Sequence, residues 1–433
     1  MYKPLLHAIV GTALACALFA LPAAADSQAR IVRLSDVHGT VQIDKNSGLG
    51  FENAFVNLPI TQGTQLRTRE NGRAEVEFED GSTLRVTPNT TIQFSRLGLS
   101  DAGKRVSELE LVEGRAYVNW LGKSGDEFAL NFSQEKVVLS QAAHFRVASS
   151  SSAAEVANFK NDLEVVGPSG LVKVDKKKMV TFNVTDNDKA TLAKNFEEDP
   201  YDQWDKQSVE YHDQYSKNNS TPYGYGSIDL GYYGGYSNVA GYGTLWQPYF
   251  AGVGWNPFMD GAWAWYPGFG FMWASAYPWG WMPYYYGNWM FVPGFGWGWQ
   301  PGGWNSWRGG IHYVGAGVAG FHPPVAPVGT VSTVAVGKGG PVVSSNPPLH
   351  SVIRSGSVGL GVPRGSFGNL RHLNSEVAKT GSVEVHGARQ FSASSGHAGG
   401  FVGGAHPAGA GAAGHPGAGS AGHASGGGGH SGH

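Results

Sequence analysis

From Arg30 to about Asn195 apolar and polar residues alternate in short runs: Gly39–Ile43, Ala74–Phe78, Thr83–Val86, Glu108–Val112, Arg115–Val118, Lys136–Leu139 and Leu171–Val174. Turn signals such as Asn71-Gly72 and Asp80-Gly81 separate them. Successive strand residues point to opposite faces, so period two predicts half-buried strands. No sustained helical period interrupts them, which predicts an all-β domain over residues 26–195. Parity places Leu66, Val76, Phe78, Leu84, Val86, Leu111, Val138 and Phe145 in its core. It places Glu75, Glu77 and Glu79 on the other face, where water is their expected partner.

The period changes at residues 199–216. Pro200 suits a first helical turn, and Tyr201, Trp204, Tyr211 and Tyr215 share one face of a helix. A short linker helix is expected within 196–220, its aromatic stripe docked on the β-domain.

Residues 221–310 hold 12 of the 14 tryptophans but few charges. Trp265, Trp273, Trp281, Trp289 and Trp297 recur every eight residues, about one short strand plus one tight turn. The pairs Trp263/Trp265, Trp279/Trp281 and Trp297/Trp299 fall on one face of such strands. The segment therefore predicts a small antiparallel β-meander turning at Pro267-Gly268, Pro283 and Pro293-Gly294. Ordering eight residues costs about 8 to 16 kcal/mol. Two or three rings at about 4 to 6 kcal/mol each offset that, so the meander should pack on itself and on the β-domain.

Three uses of the aromatic face follow from its chemistry. It can be a tryptophan core or interdomain seam. It can bind glycan through Trp263, Trp265, Trp273, Trp279, Trp281, Tyr285, Trp289, Trp297 and Trp299, since flat rings stack on sugar faces. It can also meet a membrane surface or another protein. Coplanar exposed rings mark the second use, and buried rings the first.

In residues 311–433 Trp and Tyr are lost after Phe321, and from about Ser392 the chain consists almost wholly of Gly, Ala, Ser and His. A low-complexity, largely disordered tail is expected, with edge strands at Val331–Val336 and Val383–Val385. His397, His406, His415 and His423 offer weak metal ligands, but their spacings of nine, nine and eight form no compact motif.

Export is read from the start of the chain. Lys3, the apolar run Ala8–Leu21 and Ala23-Ala24-Ala25 form a signal peptide over residues 1–25, placing the mature protein in the periplasm or outside the cell. Cys16, the single cysteine, lies inside it. Lipid anchoring through Cys16 is the rival reading, against which Ala13 stands where a bulky aliphatic residue is usual. No later apolar run is long enough for a transmembrane helix. A net charge of −2 provides no basic footprint for nucleic acid.

Catalytic constellations are missing from the pattern. The β-domain and helix carry only His38, His144 and His212, of which His38 is expected to be solvated and His144 to fill a structural slot. No Gly-x-Ser-x-Gly elbow, His-Glu-x-x-His pair or phosphate-cradling loop occurs. A non-enzyme without a cofactor is expected.

Two resemblances complete the reading. His38-Gly39-Thr40-Val41, Leu58, Gly63–Thr68, Ala74–Leu84 and Pro88-Asn89-Thr90 follow one another as in the FecR-type periplasmic domain. Glu113–Val118 and Ala142–Val147 resemble its second half, with Ala143 and His144 where the family favours Gly-Thr. The resemblance implies a β-fold and an envelope location. The family's named members are inner-membrane regulators with a cytoplasmic sigma-factor-binding segment and one transmembrane helix, a pattern this chain does not follow. Trp255–Trp263, Pro278–Trp289 and Gly296–Gly302 resemble a Trp/Pro-rich domain of unknown function that follows FecR-type domains in exported bacterial proteins, with Tyr285 replacing the family's usual His. The combined expectation is a non-catalytic envelope binding or scaffold protein whose partner is an envelope polysaccharide or another envelope protein. A purely structural role, and a signalling or regulatory role as in FecR-type proteins, are the alternatives.

Overall fold

The alternating runs of the N-terminal region pair into two sheets joined by a single long strand. In the computed structural model, which describes residues 30–122, 125–216, 226–307, 311–314, 320–329, 332–337 and 350–386, the first sheet runs Pro59–Ile60, Val32–His38, Arg73–Glu77, Thr83–Val86, the second half of Arg105–Trp120, Ala143–Ser149, Ala153–Lys160, Met179–Asn183, Lys189–Ala193. The second runs Glu52–Asn53, Val41–Asp44, Gln65–Thr68, Thr91–Leu99, the first half of Arg105–Trp120, Glu127–Phe132, Glu135–Leu139, Leu163–Gly167, Gly170–Val174. Arg105–Trp120 pairs in the second sheet through Glu113 and in the first from Gly114 onward. Gly114 makes the handover possible. Its φ is +96°, and a Cβ there would lie 2.4 to 2.6 Å from Thr90 and Asn89.

Both sheets contribute to one apolar core. Leu66, Val76, Phe78, Leu84, Val86, Leu111 and Phe145 are buried in it, as parity requires. Val138 is not: it is 58% exposed, and Val137 points inward instead. Two adjacent valines leave parity ambiguous, and the pairing of Val137 with Leu130 and Val165 decides it.

The linker helix α1 spans Asp202–Ser216, with Trp204 and Tyr211 buried and Tyr201 and Tyr215 half-buried. A second helix, α2, Ile228–Tyr233, follows.

The tryptophan segment forms three hairpins divided between two sheets rather than one meander. Gly261–Tyr266 and Gly270–Ser275 turn at Pro267-Gly268 and gain Val334–Val336 as a third strand. Tyr286–Val292 and Gly296–Trp304 turn at Pro293-Gly294 inside a sheet with Gly234–Val239, Gly243–Pro248 and Tyr313–Val314. Pro283 sits in a short helix, α3, Met282–Tyr285, because proline without its N–H fits a first helical turn as well as a tight turn. That helix separates the Gly261–Ser275 hairpin from the Tyr286–Trp304 hairpin.

Part of the region expected to be disordered is folded. His350–Arg354 pairs with Ser382–His386, and helix α4, Leu370–Thr380, lies between them. The Asn369 side chain accepts from the His372 N–H at its start, and Gly381 closes it at φ +80°. Leu370 and Val377, two turns apart, are buried in the aromatic cluster together with Ile353, Val358 and Val362. Low complexity masked a helix whose caps and apolar stripe are present in the sequence. The signal-peptide region with Cys16, and His397, His406, His415 and His423, lie outside the described residues.

Candidate functional site

The aromatic residues assigned to a glycan face lie inside the protein. Trp263, Trp273, Trp279, Trp281, Tyr285, Trp289, Trp297 and Trp299 are buried, and Trp265 is half-buried. Trp263 and Trp273 are cross-strand partners with centroids 5.3 Å apart, and Trp289 pairs with Trp299 in the Tyr286–Trp304 hairpin. Trp279 is the hub, stacked on Tyr277 at 5.0 Å and tilted against Trp246 at 4.9 Å. Its indole N–H donates to the Val358 carbonyl at 2.8 Å. Rings that cover one another's faces leave no platform for a sugar, which corrects the glycan expectation. Trp281, Tyr285 and Trp307 join the β-domain's own core, so the cluster also forms a seam.

Across that seam runs a network of buried charge. The face expected to be wet carries Glu75 and Glu77, which are 2% and 0% exposed. The neighbouring strands, helix α1 and the segment around Arg364 supply their partners, so these carboxylates face Arg33, Arg85, His212 and Arg364 where solvent was expected. Glu75 accepts from Arg85 Nε at 2.8 Å, Arg364 Nη1 at 2.7 Å and the Ser35 hydroxyl at 2.9 Å, and pairs with His212 Nε2 at 2.9 Å. Glu77 meets Arg33 Nη1 at 3.2 Å and accepts from the Gly226 N–H at 3.0 Å. Arg33 reaches Asp229 at 2.6 Å, and Arg85 reaches Asp205 at 2.8 Å. Asp229 also accepts from Tyr211 at 2.8 Å.

The histidines belong to the same pattern. His144 Nε2 lies 2.7 Å from Asp205, holding the β-domain to α1. His38, expected to be solvated, is buried and pairs with Asp36 at 3.0 Å.

Environment pushes the two neighbouring glutamates apart. Burial favours the neutral form of Glu75, but His212, Arg85 and Arg364 together hold its carboxyl well below its usual value. Burial raises Glu77 instead, because Arg33 only partly offsets it and Asp229 adds repulsion. Burial likewise opposes ionisation of Asp229, while Arg364 and Arg33 lower it; Asp205 is lowered by Arg85 and His144 against its own burial. Each acid of this network faces an arginine or a histidine, so the arrangement clamps elements together. Among the described residues no group of three His, Cys, Asp or Glu gathers to hold a metal ion.

Sequence reading missed this network, although a signal was present. Arg33 and Arg85 interrupt apolar strands, and Asp229 and Arg364 stand in stretches nearly free of charge. An isolated charge in an apolar setting must find a counterion when it is buried.

A two-sheet β-domain clamped through buried ion pairs to an aromatic-core domain defines the class of chain. Residues 64–164 match the family described as FecR protein, and residues 227–324 match a family of unknown function, DUF6600. The chain thus carries a FecR domain followed by a DUF6600 domain. Two crystal structures of a candidate anti-sigma factor from Parabacteroides distasonis ATCC 8503, at 2.50 and 1.65 Å resolution, are similar at 17% identity with TM-scores of 0.27 and 0.26. Each similarity covers 30% of this chain and 59% of the other, so the chain spans less than two thirds of their length. No curated protein matches. No helix among the described residues is long and apolar enough to cross a membrane.

Proposed function

We propose that this chain is an exported, non-catalytic regulatory protein of the cell envelope that acts by binding another envelope protein. The FecR match over residues 64–164 carries this reading, because it falls on the β-domain that anchors the whole clamp. Two features support it. The acids and histidines at the seam are engaged in ion pairs, and most of the tryptophans are spent on packing, which leaves protein surface as the means of recognition. The test is deletion of the gene, with transcript abundance measured before and after the wild-type copy is restored. A discrete, restorable set of changed transcripts supports a regulatory role. Unchanged transcription with a weakened envelope would instead favour a purely structural one.

A further inference from the structure

Three hairpin ends of the β-domain meet around two carboxylates that have no counterion among the described residues. Glu135 opens its strand and is 2% exposed. Opposite it, Gly167 ends Leu163–Gly167, and a Cβ at position 167 would lie 1.6 Å from Glu135 Oε2. The carboxylate therefore occupies space that any other residue at 167 would fill. Asp188, 1% exposed, sits in the turn before Lys189–Ala193, and the Ser169 hydroxyl donates to its main-chain carbonyl. Both carboxylate oxygens of Glu135 and Oδ1 of Asp188 are buried without any hydrogen-bond partner among the described residues.

A buried carboxylate without a donor is costly, and a second one nearby adds repulsion. The rest of the fold shows the ordinary remedy, since Glu75, Asp205 and Asp229 each face arginine. Here no Arg, Lys or His among the described residues fills that role. Two carboxylates neutralise one divalent cation, and the Asp188 carbonyl and water offer further oxygen ligands. An irregular, all-oxygen site of this kind suits Ca²⁺, which takes six to eight oxygens in flexible geometry, better than Mg²⁺, which demands a near-ideal octahedron.

We propose that Glu135 and Asp188 form a Ca²⁺ site that ties together the hairpin ends at residues 133–135, 167–170 and 184–188. With only two carboxylates the affinity should resemble that of extracellular modules, on the order of 10⁻⁴ to 10⁻³ M.

Thermal unfolding of the chelator-treated full chain, with and without added CaCl₂, tests the site. Ca²⁺ should raise the wild-type melting temperature. Glu135→Gln and Asp188→Asn should weaken the apparent affinity at least about tenfold, whereas Glu164→Gln, on the exposed face of a neighbouring strand, should respond as wild type. Glu135→Gln should also melt no lower than wild type without Ca²⁺, since it removes a repelling charge. No response by the wild type up to about 10 mM Ca²⁺, or a full response by both variants, overturns the proposal. An equal response to MgCl₂ overturns the choice of ion. Should either variant fail to fold, calorimetric titration of CaCl₂ into wild type decides: one site per chain supports the proposal, and no heat, or several equivalent weak sites, overturns it.

Discussion

Arg364 forks onto Asp229, its Nε and Nη2 lying 2.9 and 2.6 Å from the two carboxylate oxygens, while its Nη1 reaches Glu75 at 2.7 Å. One guanidinium thus joins the C-terminal segment, helix α2 and the β-domain. Removing one partner of a buried pair leaves the other charge uncompensated. Arg364→Ala should therefore destabilise the chain by about 3 to 5 kcal/mol in urea unfolding. Arg364→Lys should recover little of the loss, because a point charge cannot make the planar fork.

The same network sets the response to acid. Glu75, Asp205 and Asp229 have depressed folded values relative to ordinary values of 4.5 for Glu and 3.8 for Asp. In that range the unfolded chain binds more protons than the folded one, so stability rises with pH. Their contribution is complete above the ordinary values and disappears as pH falls through the depressed ones. Circular dichroism against pH should show the wild type folded down to about pH 4. Arg364→Ala should unfold at a pH higher by about one unit.

Tryptophan burial divides the aromatic segment into dispensable and indispensable rings. Trp279→Ala should cost about 3 to 5 kcal/mol by removing the hub of the cluster. Trp304, 43% exposed, should tolerate Ala within about 1 kcal/mol. Urea unfolding followed by near-ultraviolet circular dichroism distinguishes these outcomes. Equal, small effects at both positions would contradict the hub assigned to Trp279.

Domain limits drawn from sequence similarity end too early. A chain stopped after residue 324, where the DUF6600 match ends, loses Val358, the acceptor of the Trp279 N–H, and Arg364, the partner of Asp229. It also bares the aromatic rings that Val362, Leu370 and Val377 help to cover. Such a chain should aggregate or show raised protease sensitivity, whereas one ending after residue 386 should remain compact in gel filtration and limited proteolysis.

How far the sequence could be read depended on which forces leave a local mark. Period two is local, so the β-domain and most of its core were legible, and Val138 failed only where a second valine blurred parity. The helix at 202–216 declared itself through aromatic spacing. Glu75 and Glu77 look alike on a solvated strand and on a covered one, because what covers them comes from residues 202–233 and from Arg364, far along the chain. The tryptophan period implied strands and turns correctly at two sites. It gave no information about which hairpins share a sheet, since that depends on contacts such as Trp246 with Trp299 across some 50 residues.

The shared strand Arg105–Trp120 has a consequence for how the β-domain comes apart. Its backbone serves as an edge of neither sheet and a member of both, like a spine to which two sets of pages are sewn. Fraying that begins at Lys189–Ala193 or at Gly170–Val174 can peel outer strands away one by one, but it reaches the same covalent segment from either side. Once that segment lets go, both sheets lose their central neighbour in one event. The domain is therefore built to fail at its margins gradually and at its middle all at once, and the slowest-exchanging amides of both sheets should disappear together.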